Sequence, residues 1–371
     1  MRIVHVYKDY YPVLGGIENT IKVLAEGHAD AGHDVSVLVC NRGFQSARAM
    51  RNGVSVIKPG RLTTMASMPL SLRQWTALAG LHPDVIHVHS PYPLGEVGVW
   101  LLKRRTPFVI TYHSDVVRQR GWLRLYGPLF RRVLQRADRI MPTSPRYLET
   151  SPWLAPVRDR CTVVPLGVDA QRFVPPPEPF EGPPTLLFVG RLRYYKGLDT
   201  LLRAMVELPD VQLKVVGSGP MEMAWQALSA SLGLERRVTF LGEVPDARLP
   251  ALYRRAHLFV LPANARSEAF GVVLLEAMAS GLPCVSTEVG TGTSWVVRDG
   301  VTGRVVPPEA PGVLAAAIER LLQDPARLRA MGEAARARVE LEFTLPRMMD
   351  RVMAVYRSVI DGAGGNLSVL R

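Results

Sequence analysis

The feature that most constrains the fold is the order of apolar runs between residues 256 and 286. Ala256–Pro262 is a short apolar run that predicts a buried strand, and Pro283–Ser286 begins a second one. Between them a helix is predicted to start near Phe270 and to end at Gly281, because glycine followed by proline stops a helix. Two buried strands joined by a helix indicate a parallel α/β sheet.

The same alternation of strands and helices runs through both halves of the chain. In the first half the predicted strands are Ile3–Val6, Val35–Val39, Val85–His89 and Phe108–Tyr112. Residues 175–184 are rich in proline and have too few apolar residues to fold alone, which predicts a stiff linker. We therefore expect two doubly wound domains, over residues 1–174 and 185–346, followed by a C-terminal helix and tail over residues 347–371.

The composition is that of a soluble globular protein, with 371 residues of which 47% are hydrophobic and 21% charged. Three cysteines, far apart and each in or beside an apolar run, predict reduced thiols in a cytoplasmic protein. No apolar run is long enough to span a membrane, and the first residues lack a signal-peptide core. The net charge of +12 is concentrated in residues 1–170, which hold 22 Lys/Arg against 12 Asp/Glu. This basic half predicts an anionic partner.

Two glutamates flank the start of the predicted helix after residue 269. Glu268 lies in the preceding loop, and Glu276 lies about two turns into the helix. The N-terminal backbone at Phe270, Gly271 and Val272 favours an anion, and glycine allows close approach of a ligand. Carboxylates accept hydrogen bonds from hydroxyls, so the pattern fits a nucleoside diphosphate sugar, which has hydroxyls at both ends and phosphate between them. The alternative is two solvated glutamates with no ligand.

The sequence Glu-x-Phe-Gly, with a second Glu eight positions after the first, resembles the signature of the retaining glycosyltransferase family 4. The resemblance implies a GT-B fold, in which two Rossmann-like domains face a central cleft. The second domain would hold the nucleotide sugar and the first would recognise the acceptor. In that family the first Glu contacts the donor sugar and the second contacts the ribose hydroxyls, which assigns these roles to Glu268 and Glu276.

Further motifs of the second half support the resemblance. Arg191 and Lys196 follow a predicted strand, where two cations can converge on one diphosphate; the alternative is that both are solvated. A further strand is predicted over residues 238–244. In the family, the backbone that follows the corresponding strand faces the nucleobase, and this assigns Val244 to the base. The stretch Gly290–Thr293 is expected to be a flexible loop at the cleft.

Two motifs of the first half also resemble the family. Gly15 and Gly16 enter the first helix, and in the family a similar pair faces the donor diphosphate; alone, the pair is as typical of a tight turn. It is neither a dinucleotide fingerprint nor a P-loop. The segment around His113 resembles Thr-x-His-Asp, whose His lies by the donor sugar and acceptor. An extra Ser114 separates His113 from Asp115 here, so we assign a role only to His113.

We expect no metal and no cofactor. His87, His89 and His113 lie at or just beyond strand ends, but a zinc site needs three or four converging ligands and no cysteine is near. Family members usually need no divalent cation. Arg191 and Lys196, with two helix N-termini, would stabilise the departing diphosphate in its place.

The segment Arg118–Arg139 contains seven arginines interleaved with apolar residues and one acid. Gly127 and Pro128 are expected to divide it into a loop and an amphipathic basic helix. Such a helix suits an anionic membrane surface, and the alternative is a core-packing helix with a solvated arginine face. Nucleic acid is disfavoured, because no recognised nucleic-acid module surrounds the segment.

The resemblance implies a retaining transferase that moves a hexose from a nucleotide sugar to an acceptor hydroxyl by front-face attack. Tyr10-Tyr11-Pro12 before the glycine pair, and the segments around His89 and His113, resemble bacterial mannosyl- and rhamnosyltransferases of polysaccharide assembly. GDP-mannose is therefore the expected donor, a UDP-hexose the second candidate, and the acceptor a glycan or lipid-linked glycan at the inner face of the cell membrane. A GT-B sugar-nucleotide epimerase and a non-catalytic polyanion-binding protein are the alternatives.

Overall fold

A computed structural model describes residues 1–13, 15–65, 68–115, 120–178 and 181–362. The chain forms two compact units. The first unit consists of Met1–Pro165 and Met348–Arg371, and the second of Leu166–Arg347. Each unit is built on its own sheet, and the two are described separately below.

The sheet of the first unit has seven strands in the order β3-β4-β2-β1-β7-β8-β9, and all neighbours are parallel except β3 and β4. Strands β5 and β6 form a separate antiparallel pair. The strands are β1 (Arg2–Val6), β2 (Asp34–Leu38), β3 (Ala47–Arg51), β4 (Val54–Lys58), β5 (Thr63–Met65), β6 (Met68–Leu70), β7 (Val85–Ser90), β8 (Phe108–Tyr112) and β9 (Arg139–Pro142).

The helices of the first unit follow the strands as the alternating pattern predicts. They are α1 (Gly16–Asp30), α2 (Leu72–Gly80), α3 (Pro93–Leu102), α4 (Arg120–Arg136) and α5 (Pro145–Thr150). The central strands β7 and β8 are buried along their whole length, and their residues are apolar except for His87, His89 and Ser90 of β7 and Thr111 of β8. The edge strand β3 is mostly exposed and carries two arginines, so its sequence gives no strand signal.

The sheet of the second unit is parallel throughout, in the order β12-β11-β10-β13-β14-β15. Its strands are β10 (Thr185–Val189), β11 (Gln212–Val216), β12 (Val238–Phe240), β13 (Leu258–Leu261), β14 (Cys284–Thr287) and β15 (Gly303–Val306). Its helices are α6 (Leu198–Ala204), α7 (Glu222–Ser231), α8 (Leu249–Tyr253), α9 (Val272–Ala279), α10 (Gly292–Val296), α11 (Pro311–Leu322) and α12 (Pro325–Glu342). The last helix, α13 (Leu345–Ile360), begins in this unit and lies mainly in the first.

The first division between the units falls after Pro165, nine residues before the predicted end of the first domain at position 174. The segment that follows is tied to the second unit: the amide of Val168 donates to the carbonyl of Phe343 at 2.8 Å. Arg336 donates from Nη1 to the carbonyl of Phe173 at 2.6 Å. These contacts join residues more than 160 positions apart, so no local pattern reveals them. Described residues of the predicted linker form no helix or strand, and residues 179–180 of it lie outside the described ranges.

The prediction that Gly127 and Pro128 divide the basic segment is wrong, because α4 runs through both residues. Proline in a helix removes one backbone hydrogen bond. Phe130, Val133 and Leu134 on the following turns are buried, and their packing outweighs that loss. Part of the segment, residues 118–119, lies outside the described residues.

Candidate active site

A buried ion pair lies at the carboxyl ends of the strands of the second unit. Lys196 ends a short turn after β10, and its Nζ lies 2.7 Å from Oε2 of Glu268 in the loop between β13 and α9. About a tenth of each side chain is exposed, 10% for Lys196 and 9% for Glu268. Carboxyl ends of parallel strands are where α/β sheets bind ligands. A paired cation and carboxylate at this edge can bind a phosphate and a hydroxyl side by side.

Burial and charge act in opposite directions on Lys196. Burial alone would lower the pKa of Lys196, but the negative charge of Glu268, followed by the influence of Tyr195, outweighs it and raises the pKa above its ordinary value. Lys196 is therefore a fixed positive charge at physiological pH.

Gly197 allows the chain to place Lys196 at this position. Its φ is +66°, in the left-handed region that glycine adopts without strain. A Cβ at this position would lie 2.0 Å from the carbonyl oxygen of Pro262, at the end of β13. The Lys-Gly sequence thus brings the turn after β10 against the backbone after the neighbouring strand.

Glu268 is followed by the start of α9. Gly271 is the N-cap residue of this helix, with φ of +81°, and Val272 is its first residue. The ring of Phe270 is buried, with its centroid 6.4 Å from that of Trp295, so only its backbone can meet a ligand. The first turn of α9 therefore offers backbone N–H groups close in sequence to Glu268.

The loop Gly290–Thr293 is not the free loop that the sequence suggests. Thr291 is buried and donates from its hydroxyl to the carbonyl of Glu268 at 2.7 Å. The amide of Gly292 donates to the carbonyl of Ala269 at 2.7 Å, and α10 begins at Gly292. These contacts hold the backbone of Glu268 in place, a role of Thr291 and Gly292 that no local sequence pattern indicates.

Glu276 lies on the second turn of α9 and is partly exposed. Burial of the carboxyl group raises its pKa to about 7, although a hydrogen bond from Tyr253 opposes the shift. That bond runs from the Tyr253 hydroxyl to Oε2 of Glu276 at 2.7 Å. Glu276 therefore changes charge near neutral pH. Tyr253 lies on α8, 23 positions earlier, and nothing in the sequence singles it out.

The structure does not bring Arg191 into contact with the ion pair. Its side chain is exposed, and it forms no hydrogen bond or ion pair with any residue that the structure describes. Val244, after β12, is partly exposed, and the neighbouring Glu243 accepts a hydrogen bond from Ser218 at 2.5 Å. Arg191 and Val244 thus remain free to meet a ligand.

Gly15 and Gly16 of the first unit are exposed at the start of α1. The backbone of Gly15 is extended, with φ of −178°, a conformation open to any residue. A Cβ on Gly16 would meet nothing within 4 Å among the described atoms. A Cβ on Gly15, in contrast, would lie 2.1 Å from Oε2 of Glu18, so the open space lies beside Gly16.

His113 follows β8 and is buried. Its Nε2 lies 3.0 Å from Nδ1 of His89. Burial lowers the pKa of His113 to about 3, so its ring is neutral at physiological pH. Asp115 has a different environment from His113: its Oδ1 accepts hydrogen bonds from Tyr112 at 2.7 Å and from Ser151 at 2.8 Å.

Two family descriptions together match most of the chain. Residues 14–172 match Glycosyltransferase Family 4, and residues 169–338 match Glycosyl transferases group 1. The D-rhamnosyltransferase WbpZ of Pseudomonas aeruginosa is 39% identical to the chain over 356 residues, which cover 93% of this chain and 92% of the relative. The chain belongs to this glycosyltransferase family.

The glycosyltransferase is also similar to O-antigen chain mannosyltransferase C of Escherichia coli, with 34% identity over 371 residues that cover 97% of this chain and 99% of the relative. Among solved structures, sucrose-phosphate synthase from Thermosynechococcus elongatus matches with a TM-score of 0.82 at 24% identity, over 98% of this chain and 100% of that one. The structural match concerns the fold alone, and it confirms the predicted α/β fold of GT-B type.

Proposed function

We propose that this glycosyltransferase transfers mannose from GDP-mannose, with retention of configuration, to a hydroxyl of a glycan or lipid-linked glycan in polysaccharide assembly. A UDP-hexose is the second candidate donor. The observation that carries the proposal is the buried pair of Lys196 and Glu268, in a chain with relatives named as a D-rhamnosyltransferase and an O-antigen mannosyltransferase. D-Rhamnose is mannose without its 6-hydroxyl, so the two names refer to sugars of one configuration.

The donor would bind to the second unit. Lys196 would contact the diphosphate together with Arg191, whose exposed side chain is free to move toward it. The backbone N–H groups at the start of α9, at Phe270–Val272, would donate hydrogen bonds to a phosphate oxygen. Glu268 would accept hydrogen bonds from the sugar hydroxyls.

The nucleoside end of the donor would lie at Glu276 and Val244. The carboxylate of Glu276 would accept hydrogen bonds from the ribose hydroxyls, and the backbone at Val244 would face the base. Tyr253 supports this assignment, because its hydrogen bond holds the carboxyl group of Glu276 in one orientation.

Transfer would follow front-face attack. The acceptor oxygen forms a bond to the anomeric carbon on the side from which the diphosphate leaves, and the acceptor proton passes to the departing phosphate oxygen. Lys196 and Arg191 stabilise the negative charge that develops on the diphosphate, so no divalent cation is required.

The first unit would contribute acceptor recognition. His113 is neutral near pH 7. It is therefore better suited to align the sugar donor and the acceptor substrate by hydrogen bonding than to transfer a proton. Gly15 and Gly16 would face the diphosphate, and the open space beside Gly16 at the start of α1 suits close approach of a phosphate to the backbone.

A lipid-linked acceptor would place the enzyme at the inner face of the cell membrane. No helix in the described ranges combines the length and apolarity needed to cross a bilayer. Arg131 and Arg132 of α4 are exposed and would be attracted to anionic lipid, whereas Phe130 is buried and would not insert.

Thermal unfolding with GDP, UDP, ADP and their sugars tests the donor. A ligand at 100 times its Kd adds about 2.7 kcal/mol of stability, which corresponds to roughly 5–10 °C in Tm for a unit of this size. We expect GDP and GDP-mannose to give this shift. A shift only with UDP compounds would replace the donor, and turnover of the sugar nucleotide to a free epimer without acceptor would replace the reaction class.

A further inference from the structure

Three histidines of the first unit form a hydrogen-bonded column. Nδ1 of His5 lies 3.1 Å from Nε2 of His89, and Nδ1 of His89 lies 3.0 Å from Nε2 of His113. The rings are nearly parallel, with interplanar angles of 23° in both pairs. All three side chains are buried. The proposed function uses only His113, so His5 and His89 need a separate explanation.

The strand register places these rings on one face of the sheet. His5 on β1 is opposite His87 on β7, and His89 is two residues further along β7. His89 is opposite Thr111 on β8, and His113 lies two residues beyond Thr111. Side chains two residues apart on a strand share a face.

The column is neutral at physiological pH. Burial lowers the pKa of His5 and of His113 to about 3, and that of His89 well below its usual value. A neutral imidazole has one N–H group and one bare nitrogen. Each contact in the column joins Nδ1 of one ring to Nε2 of the next, and one of these two atoms must carry the hydrogen while the other is bare. All three rings must therefore carry their hydrogen on the same atom, either Nδ1 in every ring or Nε2 in every ring.

The free end of the column decides between these two arrangements. Nε2 of His5 is buried and has no hydrogen-bond partner within the described part of the chain. With hydrogen on every Nε2, this end would be a buried donor without an acceptor. With hydrogen on every Nδ1, it is a buried lone pair. Buried donors that lack a partner are rarer in proteins than underused acceptors.

We propose that the column His5–His89–His113 fixes His113 in the tautomer with hydrogen on Nδ1, so that its ring offers a hydrogen-bond donor and not a base. Nδ1 of His113 has no partner among the described residues, which leaves its N–H for an oxygen of the sugar or the acceptor. That target rests on the proposed function. His89 and His5 act through His113 and are positioning residues.

His87 lies beside the column but is not part of it. Its Nδ1 lies 2.6 Å from the hydroxyl of Tyr356 and its Nε2 lies 2.6 Å from that of Thr111. A hydroxyl can donate or accept, so neither contact selects a tautomer. His5, His87 and His89 also place one ring nitrogen each within 4.8 Å of one another, close enough for a metal ion to be tested as the alternative.

Nitrogen NMR of the full-length protein labelled with ¹⁵N-histidine tests the proposal. The His113 signals are assigned by their loss in His113→Gln, and long-range ¹H–¹⁵N correlations distinguish the two tautomers. We expect the Nδ1–H pattern in the wild type. An Nε2–H or doubly protonated pattern for His113 would overturn the proposal, and so would one equivalent of Zn²⁺ shifting His5, His87 and His89 together.

Variants at position 89 test the role of the column. His89→Leu removes the donor to His113 and should allow the Nε2–H tautomer that free histidine favours. His89→Asn keeps an amide donor near the position of Nδ1 and should preserve the wild-type pattern. His28→Leu is the matched control, because both ring nitrogens of this buried histidine lack a partner in the described structure. A changed His113 tautomer in the control, or an unchanged one in His89→Leu, contradicts the proposal.

Steady-state kinetics distinguishes a failure of the proposed role of the column from a failure of the proposed function. His89→Leu should lower kcat by roughly 10-fold or more with little change in the donor KM, and His89→Asn should restore it. Absence of transfer by the wild type with every nucleotide sugar would refute the proposed function, while the NMR pattern would still decide the tautomer. If His89→Leu changes the tautomer of His113 but keeps the wild-type kcat, then the role of His113 as a hydrogen-bond donor in transfer is wrong.

Discussion

The hydroxyl of Tyr253 donates a hydrogen bond to Oε2 of Glu276 at 2.7 Å, and this tyrosine is fully buried beneath α9. The bond favours the charged carboxylate, yet burial is the larger effect and raises the pKa of Glu276 to about 7. The residue proposed to bind ribose therefore titrates near neutral pH.

Donor affinity should accordingly depend on pH. Ribose hydroxyls donate to the carboxylate form, so the complex holds fewer protons than the free protein and affinity rises with pH. With a pKa of about 7 for Glu276, GDP-mannose should bind about tenfold more weakly at pH 6 than at pH 8. Isothermal titration calorimetry at several pH values measures this, and the diphosphate diester of GDP-mannose does not titrate in the range.

Two variants sharpen the pH test. Glu276→Gln should bind more weakly and lose the pH dependence, because its amide does not titrate. Tyr253→Phe removes a bond that lowers the pKa of Glu276, so the loss of affinity should begin at a higher pH. The assignment fails if all three proteins show the same pH profile.

Lys196→Ala and Arg191→Ala should both lower turnover, but only the first should destabilise the protein. Each loses a charge-assisted contact to the diphosphate worth about 1.5–3 kcal/mol, or roughly 10- to 150-fold in kcat/KM. Lys196→Ala also leaves Glu268 buried without its partner, which costs about 3–5 kcal/mol of folding stability. Arg191 is exposed and should be neutral for stability.

Assays of the two variants under identical conditions, with thermal unfolding beside them, separate these effects. Glu268→Gln provides a second view of the pair, because it keeps the shape of the side chain and removes its charge. Near-wild-type kinetics in both Lys196→Ala and Arg191→Ala would remove the proposed diphosphate site.

How far the sequence predicts this molecule depends on how local each signal is. Glycine and helix periodicity correctly place Glu268 in a loop and Glu276 within the helix that follows, although α9 begins two residues later than predicted and Glu276 lies on its second turn. Tyr253 is beyond their reach, since its contact with Glu276 depends on how α8 packs. The end of the first unit is missed for the same reason: Val168 pairs with backbone near position 344.

The histidine column combines local and non-local information. The i, i+2 spacing of His87 and His89 on a predicted strand already places both on one face. His5 lies beside them because β1 is the neighbour of β7 in the sheet, although strands β2 to β6 lie between β1 and β7 in sequence. Strand order is a property of the whole sheet, so the column becomes visible only in the structure.

Gly197→Ala should destabilise the second unit. The substitution forces a side chain into a left-handed conformation at φ of +66°, and its Cβ would lie 2.0 Å from a backbone oxygen. The cost should be about 2 kcal/mol or more, a fall in Tm of at least roughly 4 °C. Gly16→Ala is the control, because its Cβ meets no described atom within 4 Å and it should unfold within about 0.5 kcal/mol of the wild type.

Transfer should continue in excess EDTA. The charges proposed to stabilise the departing diphosphate belong to Lys196 and Arg191, which a chelator cannot remove. Product formation is measured before and after extensive dialysis against EDTA, with GDP-mannose as donor. Complete loss of activity that Mg²⁺ or Mn²⁺ restores would mean that a metal ion carries this role, and the proposed mechanism would be wrong.

The basic segment Arg118–Arg139 should bind anionic vesicles reversibly. Each arginine near such a surface contributes about 1 kcal/mol, so four or five together give useful but weak attachment. Phe130 is buried and cannot insert, whereas Arg131 and Arg132 are exposed and contribute an electrostatic attraction. It should therefore weaken strongly with salt, because exposed charges are screened over about 10 Å at 0.1 M ionic strength.

Vesicle sedimentation of charge-matched variants tests whether the basic segment binds anionic lipid. One variant carries five Arg→Gln substitutions in the basic segment, at Arg118, Arg120, Arg124, Arg131 and Arg132. The control has the same loss of charge at five exposed arginines of the second unit, Arg203, Arg236, Arg320, Arg327 and Arg329. Only the first variant should stop sedimenting, and both should bind GDP-mannose as the wild type does. Equal loss in both would indicate a response to net charge alone, and a wild type that ignores anionic vesicles at low salt would favour a soluble acceptor, with α4 as a core-packing helix.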